Sequence, residues 1–443
     1  MATTTANSLQ GDVLAYLAEE VLPLSQKTLV VHQFGVKHRI PKGRGLTMIF
    51  TRYNRLPLPF GPLSEGVPAV SNQLSIQQVI GVAQQWGGQV TITDVAEMTI
   101  FHDPFQQAKR LVGYQVAETL ERNDFLTLLG GTQVNFVNSR GSRGSLQAGD
   151  VLDPFTVQRT QIALSQGGAP MFAGPEGVDV KKDIAKLYRG NQNPASQPHF
   201  VAVGSYIPIG DLRQNPTISN AWSFSEVESL YNSEAGQWSS IRFCQSNMVP
   251  SFTGVAQVNG ANATGSLATG TYFIQVTGSD TQNQYESRIY QVSAGVSVTT
   301  GGISVTLPNI AGFTFSVYVG TTSSPTNLGL STSGPTSGPF TGQATQLAAN
   351  TTVTITGTGL AQTPPAAPNT GVTVYPVFIF GEGAFGVVEL ENTEFFYLAN
   401  AEKADPQNQL RVVAWKTTVG GMLLNTSFMA RIECTSAFSA TYG

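Results

Sequence analysis

The residues able to do chemistry are few and scattered. Four histidines occur, His32, His38, His102 and His199. None has Cys, Asp or Glu at a metal-ligand spacing except His102, whose neighbour Asp103 reads better as a helix cap. Two cysteines, Cys244 and Cys434, are too few for a disulfide scaffold or a zinc site, so reduced structural thiols are expected. Glycoside hydrolysis needs two converging carboxylates, but the pairs here, Glu19-Glu20 and Glu389/Glu391, read as solvated faces. There is no Gly-rich phosphate loop ending in Lys-Ser/Thr, no nucleophile elbow and no zinc signature. No catalytic, cofactor-binding or metal-ligating residue is assigned, and the expectation is a protein that is not an enzyme.

Charge narrows the classes further. Charged residues are 12% of the 443, against a usual ~25%. The net charge of -4 offers no basic surface for gripping phosphates. The one dense basic stretch runs from Lys37 to Arg44, and reads either as a solvated loop or as an arm facing acidic neighbours or DNA. No apolar run reaches the ~18 residues of a membrane span. The polar start, Met1 to Leu9, lacks the basic-then-apolar order of a signal peptide, and the expected reduced thiols fit cytoplasmic synthesis.

The elements that would position any surface follow from caps and periodicity. Asp12 can cap a helix from Val13 to Leu22, ended near Pro23, and strand-like Leu29, Val30, Val31, Phe34 and Val36 follow. Leu46–Tyr53 and Leu74–Val82 read as strands flanking a stretch punctuated by Pro57, Pro59, Pro62 and Pro68. Such a hairpin has too little apolar surface to stand alone and should lean on something else. A strand at Gln89–Thr93 leads to the clearest helix, with Asp103 as cap, Pro104 first and Gly130-Gly131 last. Asp153-Pro154 opens a second helix, stopped by Gly167-Gly168. Short helices are expected at Lys181–Tyr188 and from Ser225 to Tyr231, and a buried strand at His199–Val203.

Composition changes near Pro250. From there to Val372 only Asp280, Glu286 and Arg288 are charged. Thr, Ser and Gly dominate, and strand candidates recur at Gly270–Val276, Ser287–Val292, Gly302–Leu307, Phe313–Val319 and Thr351–Ile355. Alternation between turns of this kind predicts a small β-sandwich, with Thr363–Asn369 as its exit linker. The flanks read as one domain interrupted by another.

The order of arm, long hairpin, strand, long helix, α/β segments and late sheet resembles the major capsid proteins of tailed bacteriophages. Particular stretches are similar to one capsid-protein subfamily of phages with podovirus-like genomes. They are Ile40–Gly45, Phe50–Tyr53, Leu63–Gly66, Gly236–Phe243, Tyr375–Gly381, Asp405-Pro406 and Val413–Thr417. Gly270–Val276 resembles a strand of an immunoglobulin-like module.

The resemblance implies an α+β fold of the Hong Kong 97 type, with an inserted all-β sandwich. Its segments would be an N-terminal arm (1–40), an E-loop (41–82), a P-domain with spine helix (83–149), an A-domain (150–249), an inserted Ig-like sandwich (250–372) and a return segment (373–443). It further implies self-assembly into hexamers and pentamers of an icosahedral shell around a phage genome, made in the bacterial cytoplasm and residing in the virion. Scaffold, portal and decoration or cement proteins would be its partners, with DNA met only by non-specific proximity and no membrane. Arg52, Arg55 and Glu65, charges on an otherwise apolar loop, would make intersubunit contacts. No Lys lies between Lys42 and Lys109, so cross-linking from an E-loop lysine is not expected. The insert would contact a neighbour or decoration protein, bind glycans weakly, or be a passive ornament. The competing readings are another virion component, such as a tail or host-adhesion protein, and an enzyme with an accessory β-module.

Overall fold

The structure is a computed structural model that describes residues 30–41, 43–54, 56–58, 61–62, 71–99, 103–172, 198–219, 233–281, 285–334, 342–357, 359–398 and 409–438. The helices expected at 13–22, 181–188 and 225–231 lie outside these residues. The described chain falls into two compact units, one built from 84–119 and 391–419, the other from 30–83, 120–390 and 420–438.

A 3₁₀ turn at Val31–Gln33 precedes β1 (Val36–Arg39). Next come β2 (Thr47–Tyr53), β3 (Ile76–Val82) and β4 (Gln84–Thr93), then helices α1 (Asp94–Thr99) and α2 (Pro104–Leu129). β5 (Val134–Phe136), α3 (Pro154–Gln166), β6 (Phe200–Gly204), α4 (Tyr206–Gln214), β7 (Glu234–Trp238) and β8 (Ile241–Gln245) follow. A run of short strands comprises β9 (Phe252–Val255), β10 (Gly260–Thr264), β11 (Gly270–Asp280), β12 (Glu286–Tyr290), β13 (Val296–Val298), β14 (Gly301–Thr306), β15 (Phe313–Gly320), β16 (Gly329–Leu330), β17 (Leu347–Ala348) and β18 (Thr352–Ile355). After them come β19 (Thr373–Phe380), β20 (Phe385–Leu398), β21 (Leu410–Leu423) and β22 (Met429–Cys434).

Local chemistry explains the two long helices. Asp103 Oδ1 accepts the N–H groups of Phe105 at 3.0 Å and Gln106 at 3.2 Å, and Pro104 occupies the first turn, where its missing N–H costs nothing. α2 then runs 26 residues, ~39 Å at 1.5 Å per residue. α3 repeats the device, with Asp153 Oδ2 accepting the Thr156 N–H at 3.1 Å. Gly168, at φ +71°, supplies the left-handed residue that ends it.

In the first unit β4 and β21 pair antiparallel from Gln84↔Val419 to Thr93↔Leu410. Trp415 Nε1 donates to Gln115 Oε1 at 2.9 Å, and Arg411 pairs with Glu97. Glu391 lies 3.5 Å from Lys416 Nζ. Both side chains stay partly exposed, so the pair sits on a solvated face.

The second unit is organised on β19, all eight of whose residues are buried. β22 pairs with one of its edges and β6 and β9 with the other. Leu164 of α3, Leu212 of α4, Phe243 of β8 and Ile432 of β22 pack around it as one apolar core. Residues 30–36 depart from the expected strand. Val31–Gln33 forms a 3₁₀ turn, and the strand begins only at Val36, where β1 pairs parallel with β20. The Glu121 carboxylate of α2 takes the N–H groups that a strand would have offered to a neighbour.

β10, β14 and β18 form a three-stranded sheet over β11 and β15. Ile274, Val276, Ile303, Val305, Phe315, Val317 and Ile355 alternate into the core between them, as period-2 strands require. The larger sheet continues through β12 and β9 into β19, so it is hydrogen-bonded without interruption to the sheet around β19. At this joint a Cβ on Gly254 would collide with the carbonyl oxygens of Pro368 and Asn369, so only glycine fits.

Candidate assembly surface

Two features converge on the segment before β4: a buried polar clamp that fixes its root, and a projecting hairpin with an uncovered apolar face.

The clamp begins on α2. Ala108, Val112 and Val116 start its buried stripe, and Glu121, Asp124, Phe125 and Leu128 continue it at helical spacing. Two carboxylates thus sit where apolar side chains are the rule, and both have partners. Glu121 Oε1 accepts the N–H groups of Val30 and Val31, each at 2.8 Å, and Oε2 accepts that of His32 at 3.1 Å. Three successive amides converging on one carboxylate form an anion nest. One turn on, Asp124 Oδ2 lies 2.7 Å from His32 Nδ1. Burial pushes both carboxyls above their usual range, while the amides pull Glu121 back and His32 pulls Asp124 back. The hydrogen bond to Asp124 raises the His32 pKa against the opposing effect of burial. Beside the clamp, Phe34 packs edge-on against Phe172 at 5.7 Å and Phe380 at 5.8 Å. The 30–40 segment is therefore anchored by charge, aromatic packing and strand pairing together.

From this root the chain runs into the β2–β3 hairpin. One face, with Met48, Phe50 and Val79, packs against Ile40, Val388 and Met422. The other face is bare. Ile49 stands opposite Ile80 and Tyr53 opposite Ile76 in the strand register, and these four side chains are 52–67% exposed. Cross-strand pairs of this kind normally stabilise a covered sheet. The polar pair Thr51–Gln78 separates them on this face, and exposed apolar pairs of this kind are surface that a second chain can cover.

Arg52 lies on β2 on the packed face, beyond its covered part, and pairs across the hairpin with Gln77. Arg55, Glu65 and His102 lie outside the described residues. His199 is fully buried and His38 lies 4.7 Å from the Phe50 ring, so neither belongs to a polar site. Cys244 and Cys434 are both free and buried, and burial pushes the Cys244 thiol up to about 12, where it stays protonated and inert. Among the described residues no group of three or more His, Cys, Asp or Glu could hold a metal ion. No helix among them is long and apolar enough to cross a membrane.

Further buried charges escaped the sequence reading. Arg143 forks onto Glu433, Nε to Oε2 at 2.7 Å and Nη2 to Oε1 at 2.5 Å, and its Nη1 donates to the Ala366 carbonyl at 3.2 Å. Arg242 pairs with Glu234 at 2.6 Å on neighbouring strands. Only the placement of Glu121 and Asp124 was available in advance, since their i, i+3 spacing extends the apolar stripe of α2.

Neither a protein-family model nor a curated protein matches the chain. Solved structures do. A chain of the cyanophage Pam1 capsid asymmetric unit aligns with a TM-score of 0.53 at 12% identity, covering 99% of this chain and 100% of that one. A chain of the cyanophage P-SCSP1u capsid aligns at 0.51 and 12% identity, covering 98% and 96%. One from the capsid of Ralstonia phage GP4 aligns at 0.51 and 9% identity, covering 98% of both. The polypeptide thus has the mixed α+β fold of these phage capsid chains, as the resemblance implied.

Proposed function

We propose that the protein is a major capsid protein, self-assembling into the shell that encloses a phage genome and acting as a structural subunit without turnover. The exposed apolar pairs on an anchored, projecting hairpin carry this reading. A two-stranded hairpin with one bare apolar face is a poor end state for a monomer, and obligate interfaces of ~2,000–5,000 Å² are built by covering such surfaces. The fold similarity to phage capsid chains supports a shell-forming role.

On this reading residues 1–40 are the arm and 41–82 the E-loop. Residues 83–149 are the P-domain, with α2 as its spine, and 150–249 the A-domain. An inserted Ig-like sandwich occupies 250–372, and 373–443 completes the A- and P-domains. Hexamers and pentamers of the chain form the shell, located in the virion after synthesis in the bacterial cytoplasm. Scaffold, portal and decoration proteins are its partners. Arg52, Arg55 and Glu65 contribute contacts between subunits. A tail or adhesion role would account for the sandwich but not for the hairpin.

The test is Ile80→Asp. Its side chain is exposed, so the subunit should fold with an unchanged circular dichroism spectrum. Sedimentation should show capsomers or monomers in place of shells. Normal shells from this variant would contradict the proposal.

A further inference from the structure

The helix that anchors the arm also lines a cleft. Glu121 of α2 holds the Val30 and Val31 N–H groups. Further along the same helix, Leu126 and Leu129 border a solvent-open cleft of about 860 Å³. Val134 and Phe136 of β5 join them, with Pro365 and Ala366. Leu126 is 41% exposed although it sits inside a 26-residue helix. Apolar surface gathered into an open groove suits the apolar face of a helix. Two guanidiniums in this lining, Arg143 and Arg431, share the single carboxylate of Glu433. The cleft's other carboxyl, Glu286, accepts the hydroxyls of Tyr318 and Thr277, and burial raises its pKa. The lining therefore leans basic.

The described chain starts at Val30, on that helix. Residues 1–29 precede it, and within them the sequence sets a helix at Val13–Leu22 behind Asp12. Leu14, Leu17, Ala18 and Val21 fall at i, i+3, i+4 and i+7, so they share one helical face. That is the spacing with which an amphipathic helix anchors in a groove. Glu19 and Glu20 fall outside the face, where an acidic flank would meet the basic lining. The reach is sufficient. Leu129 lies eight positions past Glu121, ~12 Å along the axis at 1.5 Å per residue. Leu22 lies eight positions before Val30, a tether of up to ~26 Å at ~3.3 Å per residue.

We propose that the arm segment Val13–Leu22 docks as a helix in this cleft of its own chain, burying Leu14, Leu17, Ala18 and Val21. Docking of this kind needs no shell, so it is read on the unassembled full-length protein, by hydrogen exchange with mass spectrometry. Amides 14–22 should exchange about tenfold or more slowly than in an unstructured chain. Leu17→Asp, and Leu126→Asp at an exposed position of the cleft, should each raise that exchange about tenfold, because burying one Leu is worth roughly that factor. Leu17→Asp changes only the arm, so it keeps the test intact should Leu126→Asp misfold. Leu17→Cys combined with Leu126→Cys adds a second readout. Oxidation should give a disulfide within one chain, the native cysteines being buried. Free exchange in the wild type, protection that survives the Asp variants, or disulfide-linked dimers in place of the intrachain product would overturn the proposal.

Discussion

Glu121 is the residue whose removal should tell most about how the arm is held. Its carboxylate accepts three backbone N–H groups, those of Val30, Val31 and His32. Glu121→Ala should lower stability by about 2–4 kcal/mol, since each buried donor left unpaired costs ~1–3 kcal/mol. Thermal unfolding of the unassembled subunit should show this, with increased proteolysis near residue 30. An unchanged melting temperature would mean the amides find water instead. The same cluster makes a pH prediction. His32 has a raised pKa in the folded chain, so its contribution is complete below its unfolded value and is lost as pH rises through the raised one. Asp150 behaves oppositely. Burial raises its pKa, but Arg140, the Gln147 N–H and Asn138 together outweigh burial and lower it. Its contribution is present above the unfolded carboxylate value and is lost as pH falls through the depressed one. His32→Gln should flatten the alkaline limb of a stability–pH curve. An alkaline limb unchanged from wild type would refute the assignment. At this scale little was legible: buried ion pairs such as Arg143–Glu433 join residues far apart in the chain, and no local pattern encodes them.

Elements were more legible, because caps and periodicity are local. Asp103-Pro104 and Asp153-Pro154 mark helix starts that the structure places at Pro104 and Pro154, with Gly-Gly just past both ends. Strands of the Thr- and Gly-rich stretch match because a two-residue alternation between turns is hard to read otherwise. The 30–36 segment was misread because its apolar residues suit a strand, while its partner is a carboxylate some 90 positions away. On the hairpin, Arg52 tests an element-scale idea. Its side chain is exposed and, among the described residues, partnered by Gln77, so Arg52→Ala should change subunit stability by no more than ~0.5 kcal/mol. Assembly yield or shell melting should nevertheless fall. Shells that melt identically to wild type would remove Arg52 from the interface.

For the whole molecule, the proposal of one domain interrupted by another turns on the joint at β9. The Gly254 N–H donates to the Val372 carbonyl and the Gly371 N–H to the Gly254 carbonyl, each at 2.9 Å, so the chain leaves and returns side by side. Replacing residues 256–369 with a short Gly/Ser linker should leave a folded body, less stable for losing the Arg143–Ala366 bond. The isolated segment should give a β-type circular dichroism spectrum and melt cooperatively. A body that cannot fold without it would make the sandwich integral. Composition changes near Pro250 and Val372, but it does not encode the continuous hydrogen-bonded sheet there, which depends on pairing between distant strands.

The central claim is assembly, and electron microscopy of the purified recombinant protein under conditions that promote association tests it most directly. The account predicts closed shells, or open sheets and tubes built from hexameric capsomers. Dispersed single particles at every salt and protein concentration, or fibres without capsomer order, would contradict it.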